Sequence, residues 1–422
     1  MQTIERFDFF PLTFDAQGKL QSRLPFDAFV DRAVTAPATD AVFIAHGFRN
    51  DDAEATGLYT RFLKTFRAQL SRPEFKTVAA RHFVVAGVYW PSKSFREAFD
   101  DDDVGTRGLQ NPQEAMAAVK AQLDGLTEDA TPAQRAKIEK AAALLPKLGA
   151  NPQAQDEFVS LVLSLVDHST IDKTEGLPQI RKQQGSELLA RLSDAPAEGT
   201  RGIGDAFARL AGGVGKFLNL TTWYIMKDRS GTVGAKGVAP AVRALHEKCP
   251  AVKIHLVGHS LGGRLMASCV KALGESPRVQ PDSLMLLEAA FSHYGFSADN
   301  GRGNAGFFRD VIAGKVVRGP FVSTFSAQDT VVGRAYSIMS RLAGDNTREI
   351  GDASDEYGGI GRNGPLKTKE VVTGRLHAAG TAYEYKADVI NNLDGSGGLI
   401  KDHGDVTNDA ITYAFASAVA RT

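Results

Sequence analysis

The sequence is poor in cysteine and tryptophan, with two of each among 422 residues. Two thiols, Cys249 and Cys269, are too few for a disulfide framework or for a four-thiolate zinc site. We therefore interpret both as buried thiols of a reducing compartment. A chain of this length buries a large core without cross-links, so a globular fold does not depend on them.

An excess of charge of either sign is also missing. The 49 lysines and arginines are balanced by 49 aspartates and glutamates, which gives a formal net charge of zero. Because nucleic-acid binding leaves a basic surface as its electrostatic footprint, we expect no nucleic-acid partner.

Long hydrophobic runs are absent as well. The most apolar windows, such as residues 158–166, are far shorter than the ~20 residues that span a bilayer. Residues 1–7 show no basic start followed by an apolar stretch, the pattern of a secretory signal. We expect a cytoplasmic protein, and export by a non-classical route stays open.

Short apolar runs rich in β-branched residues alternate along the chain with longer helical patterns. The main runs are residues 40–45, 83–90, 252–257, 283–287 and 321–325. This alternation predicts an α/β fold with a mainly parallel sheet. Residues 7–14, followed by a turn at 15–18, predict an antiparallel hairpin at the N-terminal edge of the sheet.

The second and third runs are separated by far more residues than a crossover requires. A βαβ unit takes about 30 residues in total, whereas residues 91–251 lie between these two runs. Helical periodicity over residues 111–192 predicts a helical cap or lid. We therefore divide the chain into an N-terminal half of the core (1–95), a helical insert (96–200) and a C-terminal half of the core (201–422). Whether the insert moves stays open.

One motif carries chemistry. Gly258-His259-Ser260-Leu261-Gly262 fits G-x-S-x-G and lies between a predicted strand and a predicted helix. Small outer residues allow a sharp turn, so Ser260 protrudes at the carboxyl edge of the sheet, where the N–H groups of the following helix favour negative charge. The alternative is an incidental serine in a glycine-rich turn.

With Gly263 the string becomes Gly-His-Ser-Leu-Gly-Gly, which resembles the nucleophile elbow of lipases and esterases in the α/β-hydrolase superfamily. The resemblance implies an α/β-hydrolase fold with Ser260 as the nucleophile. It also implies a histidine base and an acid that follow in the order Ser, acid, His.

That order leaves three histidines beyond the elbow. His293 follows the fourth strand too closely for an acid to come between them. His403 lies in a polar loop, residues 401–406, before a helical pattern, and this loop resembles the late histidine loop of the superfamily. We predict His403 as the base and keep His377 as the alternative.

The acid is expected on a loop after a strand. Asp329 follows the fifth strand in Ser326-Ala327-Gln328-Asp329, which resembles the S-x-x-D-x-x-V acid loop of the superfamily. Glu288, at the end of the fourth strand, is the competing position. An aspartate that only bonds its own turn is the structural alternative.

Attack on a carbonyl also needs hydrogen-bond donors for the oxyanion. The resemblance implies the N–H groups of Leu261 and of Phe48, because His46-Gly47-Phe48 resembles the His-Gly-x segment of lipases. We further predict substrate contacts from His46, Gly47, His259 and Trp90, the last at the pocket mouth. A strand end at His46 and a packing role for Trp90 are the alternatives.

Other motifs lack the context that would give them a function. The G-x-G-x-x-G match at 359–364 has no preceding strand, so we interpret it as a glycine-rich loop. The acidic run 100–103 reads as solvated loop, and His255 and His259 lack the spacing of a metalloprotease. We expect neither a metal nor a cofactor.

These patterns predict a serine hydrolase that cleaves carboxylic esters, either lipid or other acyl esters, through an acyl-enzyme intermediate. Thioesters and amides stay open as substrates, because one fold hosts many chemistries. A hydrolase-like protein that binds without turnover is the alternative from another class. Transient contact with a membrane surface and the oligomeric state also stay open.

Overall fold

The structure is a computed structural model. It describes residues 2–36, 38–48, 51–92, 112–127, 129–167, 172–193, 203–343 and 352–422. Within these ranges one sheet has the strand order β1-β2-β4-β3-β5-β6-β7-β9-β8. The strands are β1 (Gln2–Ile4), β2 (Phe7–Thr13), β3 (Asp40–Ala45), β4 (Phe83–Tyr89), β5 (Lys253–His259), β6 (Ser283–Leu287), β7 (Phe321–Phe325), β8 (Val371–Arg375) and β9 (Ile390–Asp394).

Helices connect these strands and cover both faces of the sheet. In the described ranges they are α1 (Arg23–Thr35), α2 (Asp52–Leu70), α3 (Lys76–Ala79), α4 (Pro112–Gly125), α5 (Pro132–Leu144), α6 (Pro152–Leu163), α7 (Leu177–Ile180), α8 (Gly185–Leu192), α9 (Ile203–Thr232), α10 (Ala239–Lys248), α11 (Leu261–Leu273), α12 (Arg309–Ala313), α13 (Thr330–Leu342), α14 (Ile360–Asn363) and α15 (Asp409–Ala420). A π-helical segment, Val233–Val238, joins α9 to α10.

The predicted α/β class with a mainly parallel sheet is confirmed. The five predicted strands form β3 to β7, which pair in parallel with one another. Their side chains are almost entirely buried. Continuous apolar runs mark such strands because helices cover both faces of the sheet.

The N-terminal edge differs from the prediction. Its antiparallel pair is β1 with β2, whereas β2 pairs in parallel with β4. The predicted turn at 15–18 closes only a single bridge, Phe14 to Leu20. Pro11 is tolerated in β2 because β1 reaches only as far as Phe9, so Pro11 has no antiparallel partner there.

Alternate side chains of the central strands enter two hydrophobic layers. Phe43 of β3 packs in the layer that contains α1, α9, α10 and α11. Its neighbour Ile44 packs in the opposite layer, which contains α2 and α15. Helix α11, which follows Ser260, therefore packs on the sheet in the first layer. Helix α15, which follows His403, packs on it in the second.

The predicted helical insert is helical over its described residues and packs on α9. Both α4 and α8 contact that helix. Val119, Phe158 and Leu188 of the insert share one buried cluster with Trp223 of α9. The predicted boundaries at 95/96 and 200/201 lie outside the described residues.

Among the described residues, no helix combines the length and apolarity needed to cross a membrane.

The carboxyl ends of the parallel strands meet at one edge of the sheet. His46 follows β3, Ser260 follows β5 and Glu288 follows β6. Asp329 lies on the loop after β7, and His403 lies between β9 and α15. Open α/β sheets bind their ligands at this edge.

Candidate active site

Ser260 occupies a strained turn between β5 and α11. Its backbone has φ 56° and ψ −124°, a region that residues with a side chain rarely adopt. The Ser260 N–H donates to the Leu287 carbonyl at 2.9 Å, and the Ser260 carbonyl accepts from the Ala290 N–H at 3.0 Å. These bonds to the segment after β6 hold the turn, so the hydroxyl projects from the sheet edge as the G-x-S-x-G pattern predicts.

The glycines of the motif are required by close backbone contacts. A Cβ at Gly258 would lie 2.2 Å from the Gly262 carbonyl oxygen. A Cβ at Gly262 would lie 2.4 Å from the carbonyl oxygens of Ala45 and His46. The elbow therefore packs directly on the end of β3, which carries the predicted oxyanion loop.

The structure brings Ser260, His403 and Asp329 together. His403 Nε2 lies 2.8 Å from Ser260 Oγ, and His403 Nδ1 lies 2.8 Å from Asp329 Oδ2. A carboxylate only accepts, so Nδ1 carries the proton and Nε2 is free to accept the serine proton. This is the arrangement in which a histidine acts as general base for a serine.

Asp329 is held on both sides. Its side chain is fully buried, and its Oδ1 accepts the Val332 N–H at 2.9 Å at the start of α13. The same carboxylate therefore caps a helix with one oxygen and orients His403 with the other. This double use explains why an aspartate occupies position 329, since one carboxylate oxygen accepts the Val332 N–H and the other faces His403.

The competing acid, Glu288, faces another partner. Thr324 Oγ1 donates to Glu288 Oε1 at 3.1 Å. Burial, aided by the negative charge of Asp329, raises the pKa of Glu288 well above its ordinary value. Glu288 therefore binds a proton more readily than an ordinary glutamate and faces Thr324, while Asp329 faces His403.

The other two histidines lie elsewhere. His293 Nδ1 contacts Asn363 Nδ2 at 3.2 Å in the buried loop after β6. His377 packs against Tyr383 with ring centroids 5.5 Å apart. Neither has a hydrogen bond to Ser260 or Asp329 within the part of the chain that the structure describes.

The loop after β3 abuts the predicted nucleophile. A Cβ at Gly47 would lie 2.8 Å from Ser260 Cβ, so this loop passes directly beside the serine. Leu261 is the first residue of α11, where no helix carbonyl lies in reach of the main-chain N–H. The Phe48 ring packs edge-on against Trp223 of α9 at 5.8 Å. The two predicted oxyanion donors therefore belong to segments that flank the Ser260 side chain.

His46 contacts the loop itself and is held in one tautomer. Burial lowers the pKa of His46 to about 4, so the ring is neutral near pH 7. The main-chain N–H of Trp90 approaches His46 Nε2 at 3.4 Å. His46 Nδ1 lies 3.0 Å from the Gly47 carbonyl oxygen, to which it donates. Because the Gly47 carbonyl and the Phe48 N–H point to opposite sides of one planar peptide, this bond fixes the direction of that N–H.

Trp90 lies inside the fold. Its ring stacks on His46 at 5.7 Å, and its Nε1–H donates to the His46 carbonyl at 3.1 Å. Only 4% of the residue is exposed. Trp90 thus packs beneath the loop after β3, which is the packing role given as its alternative.

His259 also has a different contact from the predicted one. Its Nε2 lies 2.8 Å from the main-chain carbonyl oxygen of His403. Burial and the nearby His403 lower the pKa of His259 to about 3, so this ring is neutral as well. Sequence reasoning missed this contact because the motif gives the position of His259 and not its partner.

A buried polar network lies along α9, which packs on α11, and no motif indicated it. Lys227 donates to Glu175 and, at 2.6 Å, to the Tyr336 hydroxyl. Arg264, on the elbow helix, donates to the Lys227 carbonyl. Burial lowers the pKa of Lys227 to about 8, although Glu175 opposes this shift. The network ties the end of the insert to α9, α11 and α13.

Among the described residues, no group of histidine, cysteine, aspartate and glutamate side chains could hold a metal ion. The acidic run 100–103 lies outside those residues.

Searches of protein-family models, of curated proteins and of solved structures each found no match to this chain. A function must therefore be argued from the residues of the site and their geometry.

Proposed function

We propose that this chain is a serine hydrolase of the α/β-hydrolase fold that cleaves carboxylic esters through an acyl-enzyme intermediate. The observation that carries the proposal is the continuous hydrogen-bonded series from Ser260 Oγ to His403 and from His403 to Asp329, with 2.8 Å at each step. A serine hydroxyl alone is a weak nucleophile near neutral pH, and an oriented histidine is what activates it.

The surrounding fold supports the same class. Ser260 lies on a strained strand-to-helix turn, and the second predicted oxyanion donor comes from the loop after β3. The three side chains follow in the order Ser, acid, His along the chain. These features together are those of α/β-hydrolases.

In the first half of the proposed reaction, Ser260 Oγ attacks the ester carbonyl carbon while His403 Nε2 takes the hydroxyl proton. The carbonyl oxygen becomes an oxyanion, which the N–H groups of Phe48 and Leu261 stabilise. Collapse of this intermediate breaks the bond to the alkoxy oxygen. His403 gives its proton to the leaving alcohol, and the acyl group stays on Ser260.

In the second half, His403 takes a proton from water, and the hydroxide oxygen attacks the acyl carbon. The same two N–H groups hold the second oxyanion. The acid is released when the proton on His403 returns to Ser260 Oγ. Throughout, the Asp329 carboxylate holds the imidazole in place and stabilises its charged form.

The substrate class we propose is a carboxylic ester, with lipid and other acyl esters as the main candidates. The helices over residues 112–192 form the cap in this proposal. They pack on α9, and the Phe48 ring, one residue after the Gly47 that lies beside Ser260, packs on Trp223 of the same helix. Thioesters and amides would use the same machinery. Their rejection would depend on the cap and not on the three reacting side chains.

The test is hydrolysis of a ladder of p-nitrophenyl esters from short to long chains. Wild type is compared with Ser260→Ala and with Ser268→Ala, a matched change at a buried serine of the same helix. The proposal expects turnover that Ser260→Ala abolishes and Ser268→Ala retains. Rates that rise with chain length indicate a lipase, and a short-chain preference indicates an esterase. No turnover of any ester, thioester or amide by the folded wild type contradicts the proposal.

A further inference from the structure

We propose that His259 is a positioning residue, which fixes the main chain of His403 and so keeps the general base aligned between Ser260 and Asp329. The proposal rests on the proposed function for its catalytic meaning. It assigns to His259 a contact with the catalytic loop in place of the substrate contact predicted from the sequence.

The contact between His259 and the His403 carbonyl determines which ring nitrogen of His259 carries the proton. A carbonyl oxygen only accepts, so the 2.8 Å approach of His259 Nε2 to the His403 carbonyl requires a proton on Nε2. The ring is neutral, and Nδ1 is therefore unprotonated. Nδ1 is buried and has no hydrogen-bond partner in the described part of the chain. One nitrogen of His259 is thus committed to the His403 loop.

The opposite side of the ring faces the oxyanion loop. A Cβ at Gly47 would lie 3.2 Å from His259 Nδ1, so little space separates the two segments. The rings of His259 and His403 lie 4.8 Å apart. His259 therefore lies between the loop that carries the predicted oxyanion donor and the loop that carries the general base. Because Nε2 already donates to the His403 carbonyl, it is not available to contact a substrate.

The His403 loop has few buried residues to hold it, since within residues 401–406 only Val406 is buried. Lys401, Asp402 and Gly404 are exposed. The main-chain N–H groups of Gly404, Asp405 and Val406 all donate to acceptors within the loop itself, such as Gly404 N–H to Asp402 Oδ1 at 2.8 Å. For the described residues, the His259 bond is the one found between the His403 main chain and the elbow. Because His259 directly precedes Ser260, this bond links the main chain of the general base to the turn that carries the nucleophile.

The contact matters most when the serine bond is absent. Once an acyl group occupies Ser260 Oγ, Nε2 no longer has the serine proton to accept, and the imidazole is held by Asp329 and by its own main chain. A misplacement of about 1 Å at this stage costs about 100-fold in rate. We therefore expect His259 to affect turnover more than substrate binding.

Two variants separate donation from packing. His259→Gln keeps an N–H at a similar reach, and His259→Leu removes the donor without a larger group that would push the carbonyl. His246→Gln, on α10 and outside the site, is the matched control. We expect His259→Leu to lower kcat by about 10- to 100-fold without a rise in KM, and His259→Gln to recover most of that loss.

A second measurement does not depend on turnover. Hydrogen exchange of the peptide that covers residues 401–406 is expected to accelerate in His259→Leu and to stay close to wild type in His259→Gln and His246→Gln. If the wild type hydrolyses no ester, that result contradicts the proposed function alone. The exchange comparison still tests whether His259 holds the His403 loop.

Three results would overturn the inference. Equal losses of kcat in His259→Gln and His259→Leu would show that packing, and not donation, is what counts. A raised KM with unchanged kcat would indicate a substrate contact. Unchanged exchange in His259→Leu would show that the loop does not depend on this bond.

Discussion

His403 Nε2 and Ser260 Oγ lie 2.8 Å apart although 143 positions separate the two residues in the sequence. The contact exists because β5, β7 and β9 lie in one parallel sheet, with β6 between β5 and β7, and the loops after their carboxyl ends carry Ser260, Asp329 and His403. The site is therefore assembled only when the whole sheet from β3 to β9 is formed. Activity and global folding should be lost together on unfolding.

The two buried acids are expected to behave differently. Asp329→Asn removes the carboxylate that sets the His403 tautomer and should lower kcat by about 10³- to 10⁴-fold. Glu288→Gln keeps an acceptor for Thr324 at a carboxyl group whose pKa burial raises, and it should keep most of the activity. The measurement is steady-state hydrolysis of the best ester. A comparable loss in Glu288→Gln would assign the acid role to Glu288.

The elbow glycines make a prediction about packing. Gly262→Ala would bring a Cβ within 2.4 Å of two backbone oxygens at the end of β3. We expect it to abolish activity and to destabilise the fold by about 1–3 kcal/mol. Gly397→Ala is the control, because a Cβ there meets nothing within 4 Å. Urea unfolding and ester turnover measure both effects, and equal stability of the two variants would contradict this account of the elbow.

Removing one partner of the buried network around Lys227 should cost much stability, whereas replacing both charged partners should cost less than the two single changes added together. Lys227→Met leaves Glu175 buried without its cation and should cost about 3–5 kcal/mol. The double variant with Glu175→Gln should lose less than the sum of the single changes, by about 0.5–3 kcal/mol. Lys120→Met, at an exposed pair on α4, should change stability by at most about 0.5 kcal/mol. Simple additivity at Lys227 and Glu175 would contradict the coupling.

Stability should fall in mild acid because several histidines are buried in neutral form. Burial lowers the pKa of His293 from 6.5 to about 3, and His46 and His259 show shifts in the same direction. In the unfolded chain the imidazole gains a proton near pH 6.5. The stabilisation is thus fully present above that pH and is lost as the pH falls towards the folded pKa.

His293→Gln isolates one such contribution away from the reacting side chains. Between pH 6.5 and 4.5 each of these three histidines should account for about 2 kcal/mol of lost stability. The variant should therefore show a pH dependence smaller by about that amount, whatever its stability at pH 7. Urea unfolding at several pH values measures it. Parallel curves for variant and wild type would show that His293 does not titrate in this way.

The sequence predicted the central strands because buried parallel strands are continuous apolar runs. Three strands were not predicted, namely β1, β8 and β9. β8 is mostly exposed, and β9 reads Ile-Asn-Asn-Leu-Asp, so neither has an apolar run or a clean alternation. β9 pairs with β7 and β8 pairs with β9, and these pairings, which decide their structure, are not visible in local sequence.

The candidate site was predictable where a motif fixes geometry. The elbow motif implies where Ser260 points, and the chain order limits the choice of acid and base. The contacts of His259 and Trp90 were not predictable, because they depend on which way a side chain turns within the folded edge. The prediction for the N-terminal edge was wrong for a related reason, since the pattern of β2 does not show that its partners are β1 and β4 and not the segment after the turn at 15–18.

The most direct test of the central claim is labelling by a fluorophosphonate probe, followed by intact-mass measurement and peptide mapping. The account predicts one adduct on the wild type, located on Ser260, with no adduct on Ser260→Ala and much slower labelling of His403→Ala. Full labelling of Ser260→Ala, or a folded wild type that stays unlabelled, would contradict it.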